Sequence, residues 1–246
     1  MKRTLQTAIA LVVVLGLVWL ALRTPAPSIT VTEVVAHPID GAPHAAMITL
    51  TISNDGGPDM LIDAQSPFAE LTTLKSRTGQ GLPVPANGAI SLVMEGGHIV
   101  LMGLESPPKQ GTQLPIELTF LRAGEHQVRA HVGPKMSPTT IYSWMPGDVP
   151  APEATLYATP SRPGWAIRRS DSPGSSLSGI PRIEEGGYAN LYIDGAKVHD
   201  AFVDEVTIGA LLPGRYEAMM MFFDKDHRLL VQDAAPISAT VEIVVD

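Results

Sequence analysis

Histidine and methionine are the soft metal-binding side chains this chain has to offer. Cysteine is absent, and with it disulfides, thiolate metal sites and cysteine nucleophiles. The nearest approach to a site is Glu95-Gly-Gly-His-Ile-Val-Leu-Met-Gly-Leu104, where two glycines open a short apolar run, His98 stands at its mouth and Gly103 closes it. Read as a strand, the run puts His98, Val100 and Met102 on one face and Ile99 and Leu101 on the other. Imidazole and thioether together suit Cu(I). Met94, just ahead of the glycine pair, is placed to swing toward the histidine. The candidate metal ligands are therefore His98, Met102 and Met94. Met102 reads as about two residue steps, roughly 7 Å, beyond His98. The competing role for it is core filling, which methionine does readily.

Other groups are weaker. His126 and His131 lie five residues apart, on opposite faces of one strand. His199-Asp200 with Asp204-Glu205 has the oxygen donors of a cation site and equally the composition of a solvated loop. Met219-Met-Met221 places three thioethers in a row, but a strand turns the middle one away, and Phe222 and Phe223 favour core packing. Ser175, Ser176 and Ser178 lack a nucleophile elbow, and no phosphate loop or dinucleotide fingerprint is present. Nothing reads as an active site, so the expectation is a protein that is not an enzyme.

The elements that must position these residues are strands. In 246 residues, glycine and proline each number 22 and punctuate many short β-branched stretches. The predicted strands of the first half are Ile29–Val35, Ala46–Ser53, Met60–Ala64, Leu71–Ser76, Ala89–Met94, His98–Met102, Leu114–Leu121 and His126–Val132, with His37–His44 a loop and Asn54-Asp-Gly-Gly57 a turn. A proline-rich connection follows, with an edge strand near Thr155–Ala158. The second half predicts strands at Tyr188–Ile193, Lys197–Phe202, Val206–Leu211, Tyr216–Phe223, Leu229–Gln232 and Ala239–Val245. The organisation is thus a signal segment at 1–27, a β domain at 28–133, a linker at 134–163 and a small immunoglobulin-like β-sandwich at 164–246.

The N-terminus points to export. Lys2 and Arg3 precede an apolar run from Ala8 to Leu22, and no small-x-small cleavage site follows. The reading is an uncleaved signal anchor, with a cleaved signal peptide the alternative, and the globular part lies outside the cytoplasm on either. A net charge of -8 argues against nucleic acid as a partner.

Three stretches taken in order, Met47-Ile-Thr-Leu-Thr-Ile-Ser-Asn54, Asp59-Met-Leu-Ile-Asp-Ala-Gln-Ser-Pro67 and Gly96-Gly-His-Ile-Val-Leu-Met-Gly-Leu104, followed by Gly111–Phe120 and Ala123-Gly124, carry a family resemblance. Over Ile29–Val132 the chain resembles the PCu(A)C family of periplasmic copper chaperones. That resemblance implies an all-β fold, a cupredoxin-like Greek-key sandwich or barrel. It also implies a Cu(I) site with an early histidine and methionine and a late His-x-Met pair, and delivery to the copper centre of cytochrome oxidase or another periplasmic protein. His98 matches the late histidine, but Val100 stands where the second methionine belongs. The resemblance puts the early ligands around Thr72 to Leu82, and no histidine or methionine occurs from Ala64 to Val93. Gly187–Gly195 with Asp226-His227 is similar to exported β domains that carry a histidine at the position of Asn190. Two functions follow: an exported copper-chaperone-like protein inner-membrane-tethered in the periplasm, or a non-metal interaction protein that keeps the fold.

Overall fold

A computed structural model describes residues 25–136, 141–147, 154–170, 187–201 and 205–246. The apolar run at 8–22 lies outside the described residues, so the anchor expectation is not addressed by the fold. Among the described residues the chain is all-β, and no helix is long and apolar enough to cross a membrane.

Nine strands build the first lobe: β1 (Ile29–Ile39), β2 (Ala42–Asn54), β3 (Asp59–Gln65), β4 (Leu71–Lys75), β5 (Leu82–Val84), β6 (Gly88–Leu92), β7 (His98–Met102), β8 (Gln113–Phe120) and β9 (Gly124–Val132). Alternation decides which face each presents. In β2, Ala46, Ile48, Leu50 and Ile52 are buried, while Met47, Thr49, Thr51 and Ser53 between them are half-exposed. The inward residues join Leu61, Ile99, Leu101, Ile116, Leu118 and Phe120 in one core. Each such side chain contributes about 1.5–3 kcal/mol on burial. The order β6-β2-β1-β9-β8-β3-β5 wraps this core, and β7 pairs β2 beyond β6, with β4 on its other side.

The predicted loop His37–His44 is instead strand on both sides of a two-residue Asp40-Gly41 turn, where Gly41 takes φ +79°. Pro38 and Pro43 argue against a ladder in sequence terms, yet His37 still pairs with Met47, and Pro38 with Ala46. Asn54 makes the following turn. Its Oδ1 accepts from the amides of Ser28 and Gly56 (3.0 Å each), and its amide donates to the carbonyls of Gly57 (2.8 Å) and Pro85 (3.1 Å).

The second lobe contains β10 (Tyr142–Trp144), β11 (Thr155–Pro160), β12 (Trp165–Ser170), β13 (Tyr188–Ile193), β14 (Ala196–His199), β15 (Glu205–Ile208), β16 (Gly214–Phe223), β17 (Leu229–Gln232), β18 (Ala235–Pro236) and β19 (Ser238–Val245). Strands β10 and β11 fall in the stretch read as linker, but they pair with β17 and β12 and so belong to this lobe. Met219 and Met221 face a cluster with Tyr192, Phe223, Leu229 and Val231, while Met220 enters the main core of the lobe with Leu191, Ile193 and Phe222.

The two lobes share a sheet. Lys197 of β14 pairs with Ser91 of β6. Around that point the amide of Gly97 donates to the Gly195 carbonyl (2.6 Å), that of Arg77 to Asp194 (3.0 Å) and that of Ala86 to Ala210 (2.9 Å). The Tyr192 hydroxyl donates to Glu95 Oε1 at 2.9 Å, and Arg77 pairs with Glu217. Val93 packs against the second lobe's Tyr192 cluster.

Candidate functional site

Strand β7 holds His98 by anchoring its alternate residues. Ile99 and Leu101 are fully buried, which turns His98, Val100 and Met102 outward as the alternation predicts. His98 is half-buried, and its Nδ1 lies 2.9 Å from the carbonyl of Gly96, an acceptor, so that nitrogen carries the hydrogen and Nε2 is left as the donor atom for a metal. Burial lowers the imidazole pKa, the carbonyls of Gly96 and Val93 pull the other way, and the Lys75 ammonium adds to the lowering. At neutral pH the ring is therefore neutral, as a ligand must be.

The other expected donors do not converge on it. Met102 lies four residues along the strand, about 13 Å and not two steps away. It is also no core residue: at 44% exposure it stands beside Leu71, its cross-strand partner, which is 50% exposed. Met94 sits half-buried in the turn between β6 and β7, which is closed by the Val93 amide on Gly97 (2.8 Å) and the Gly96 amide on Val93 (3.2 Å). Strand β4, where the early ligands were sought, sets Thr73 opposite Val100 and Lys75 directly opposite His98. Directly opposed side chains stand about 5 Å apart at Cβ. A lysine thus occupies the nearest cross-strand position to the one imidazole.

Two donors that the sequence left unplaced share the outward face. His37 of β1 is opposite Met47 of β2, and Met47 is opposite Val100 of β7. His37 Nε2 lies 3.2 Å from Thr49 Oγ1, and burial lowers its pKa. It is separated from β7 by the width of β2, about 10 Å across two strand spacings. The signal for His37 was its register in β1, hidden by reading 37–44 as a loop. His44 lies at the far end of β2, with Nδ1 2.6 Å from the carbonyl of Leu104. Among the described residues no three His, Asp or Glu side chains are grouped to hold a metal ion.

Of the glycines at the histidine's mouth, Gly96 answers to the second lobe and Gly97 to the first. A Cβ on Gly96 would fall on the carbonyl oxygen of Gly195 and within 3.1 Å of the Tyr192 ring. A Cβ on Gly97 would press on Leu82. Gly96 therefore admits the Asp194-Gly195 turn. Tyr192, fully buried, has its pKa raised by burial and by the neighbouring Glu95 carboxylate, so its hydroxyl stays a donor.

The remaining candidates have structural partners. His126 meets the edge of Phe120 at 5.2 Å, while His131 is exposed. Asp200 pairs with Lys197 and Glu205 with Arg168, at 2.7 Å each, while Asp204 lies outside the described residues. Asp224 is buried and organises its own turn, accepting from the amides of Asp226 (3.0 Å) and Arg228 (2.9 Å). Asn190 is buried opposite Met221, with Oδ1 accepting from the amide of Ala201 at 3.0 Å.

Comparison with known proteins adds a similarity over the first lobe. Residues 29–132 match the family model described as "Putative lipoprotein LpqE-like". No curated protein matches the chain. Among solved structures, similarity extends to the apo PCuAC domain from PmoF1, at 19% identity over 44% of this chain and 96% of that one, TM-score 0.40. The copper-bound PCuAC domain from PmoF2 is similar at 19% identity, over 46% and 99%, TM-score 0.39. Fibronectin(III)-like modules of Clostridium thermocellum CbhA match at 12% identity, over 89% and 94%, TM-score 0.19. The likeness to the LpqE-like family model is thus confined to the first lobe, residues 29–132.

Proposed function

We propose that this chain is an exported, copper-chaperone-like protein whose first lobe keeps a cupredoxin-like scaffold without tight Cu(I) binding, and that it works as a non-enzymatic interaction protein in the periplasm. The observation that carries this reading is the placement of Lys75 directly across from His98. A cation bound at His98 would meet that ammonium at about 5–7 Å, worth roughly 1 kcal/mol of repulsion near water and more where the site is shielded. No second imidazole or thioether takes the lysine's place. Cu(I) held by neutral donors needs at least two converging groups. The second, immunoglobulin-like lobe seated on Gly96-Gly97 makes the pair of lobes one body suited to presenting surfaces to a partner.

One observation favours a copper reading: the Nδ1 of His98 lies 2.9 Å from the Gly96 carbonyl, the arrangement that orients an imidazole for metal through Nε2. On that reading His98, Met94 and Met102 rearrange around Cu(I) for delivery to a respiratory copper centre such as that of cytochrome oxidase. A Cu(I) competition titration against a chromophoric chelator, with His98→Ala alongside, separates the two. The interaction reading predicts weak binding that His98→Ala leaves unchanged. Tight one-to-one binding lost in His98→Ala would establish the copper reading instead.

A further inference from the structure

The first described residues are fastened to one end of the first lobe. Arg122 donates from Nη2 to the Pro25 carbonyl (2.8 Å) and from Nη1 to the Pro58 carbonyl (2.6 Å). The Gly57 amide donates to Ala26 (3.1 Å) and the Asp55 amide to Ser28 (3.0 Å). A Cβ on Gly56 or Gly57 would run into this strap, so the glycines of the Asn54–Gly57 turn are where the chain lies down. Asp59 braces the other side, its carboxylate accepting from the amides of Arg122 and Ala123 (2.8 Å each).

Only Arg23 and Thr24 separate Pro25 from Leu22, the last residue of the apolar run. A fully extended chain spans at most about 3.5 Å per residue, so the Pro25–Arg122 strap lies within about 10 Å of the end of that run. Two large apolar side chains face water beside it. Leu121, adjacent to Arg122, is 57% exposed, and Ile62 is 42% exposed at a register shift between β3 and β8 that interrupts the inward alternation. Leu61 and Phe120 are paired and both buried, so the next residue along each strand, Ile62 and Leu121, turns to the outward face.

We propose that this end of the first lobe rests on the bilayer that holds the apolar run, with Leu121 and Ile62 entering the headgroup layer and the Arg122–Pro25 strap fixing the lobe's orientation. The inference rests on the uncleaved-anchor reading of Ala8–Leu22. A headgroup layer begins where the hydrocarbon ends, and a tether of this length keeps this end of the lobe within reach of it. The contact comes from the tether and apolar area. Arg122 is already committed to two carbonyls, so it does not depend on attraction to anionic lipid.

The chain contains no cysteine, so single cysteine variants take a spin label at one position only. The full chain is reconstituted in vesicles of phosphatidylethanolamine and phosphatidylglycerol, with labels in turn at Val14→Cys, Ile62→Cys, Leu121→Cys and Met102→Cys. Met102 is exposed at the other end of the same lobe, about 30 Å away by the strand rise from Asn54 to Ala45, its partner. Collision rates with oxygen and with a water-soluble nickel chelate report immersion depth. The expected result is an oxygen-to-nickel ratio several-fold higher at positions 62 and 121 than at 102, unchanged by high salt. Labels at 62 and 121 as water-exposed as that at 102, with the label at 14 in lipid, would overturn the proposal and leave the anchor standing. A label at 14 in water would overturn the anchor reading and the proposal with it.

Discussion

Gly96→Ala tests whether the lobes are joined as described. Gly96 does not have a positive φ, so an alanine there adds no backbone strain. The cost is steric and falls on the second lobe. The new methyl occupies the position of the Gly195 carbonyl oxygen and presses on Tyr192, whose ring atoms lie 3.1 and 3.2 Å from it. The Gly195 turn must retreat, which breaks its 2.6 Å bond from the Gly97 amide. A lost hydrogen bond costs about 1 kcal/mol, and overpacking a buried contact costs about 1–3 kcal/mol. The expected destabilisation is therefore about 2–4 kcal/mol. The matched control is Gly88→Ala in β6, where the nearest atom to a new Cβ is 3.5 Å away. That substitution should be neutral or stabilise by up to about 1 kcal/mol through the unfolded chain. Urea unfolding is followed by far-UV dichroism and by tryptophan fluorescence, which reports the second lobe through Trp144 and Trp165. If Gly96→Ala unfolds within about 0.5 kcal/mol of Gly88→Ala, the usual range for a substitution that disturbs nothing, the seam is not closed around these glycines.

Other outcomes follow from single residues. Asn54→Ala leaves two part-buried amides and two carbonyls without the partners Asn54 supplies, and should cost about 2–4 kcal/mol in the same assay. Asp59→Ala removes the acceptor of three amides, those of Met60, Arg122 and Ala123, and should cost about as much and loosen the strap that holds Pro25. His37 and His98 both have folded pKa values below the ordinary histidine value because burial disfavours the charged ring. Below about pH 6.5 the unfolded chain binds more protons than the folded one, so stability falls as pH drops through that point toward the lowered folded values. The urea midpoint should be flat from pH 8 to 7 and decline by pH 5.5, and His98→Gln should shallow that decline, whereas an unchanged slope would contradict the burial of the ring.

The strands were legible where a period of two survived between turn residues. Ile29–Val35, Ala46–Ser53 and His98–Met102 each sit within an observed strand, and Asn54-Asp-Gly-Gly57 is a turn. Proline misled at Pro38 and Pro43, because its penalty in a ladder is local while the pairing of β1 with β2 runs on from both sides. Strand β5 went unread because Leu82-Pro-Val84 is three residues with a proline in the middle. The site failed for a different reason. Which side chain faces His98 depends on the register between β4 and β7, and composition does not state a register. Lys75 was in view as a residue and invisible as a neighbour. Gly96 and Gly97 looked like the mouth of a ligand site, yet the smallness of Gly96 answers to Gly195, about one hundred residues later, which only the folded chain brings to it, and that of Gly97 to Leu82.

The most direct measurement returns a ligand to the place where Lys75 stands. Cu(I) affinity of the wild-type protein is compared with that of Lys75→His and of Lys75→His combined with His98→Ala, in one competition assay. Two imidazoles on directly opposed strand positions, with the ammonium gone, should raise affinity at least tenfold, or about 1.4 kcal/mol, and the gain should vanish in the double variant. A wild-type protein that already binds one Cu(I) as tightly as Lys75→His would contradict the account, because the lysine would then not be what keeps copper out.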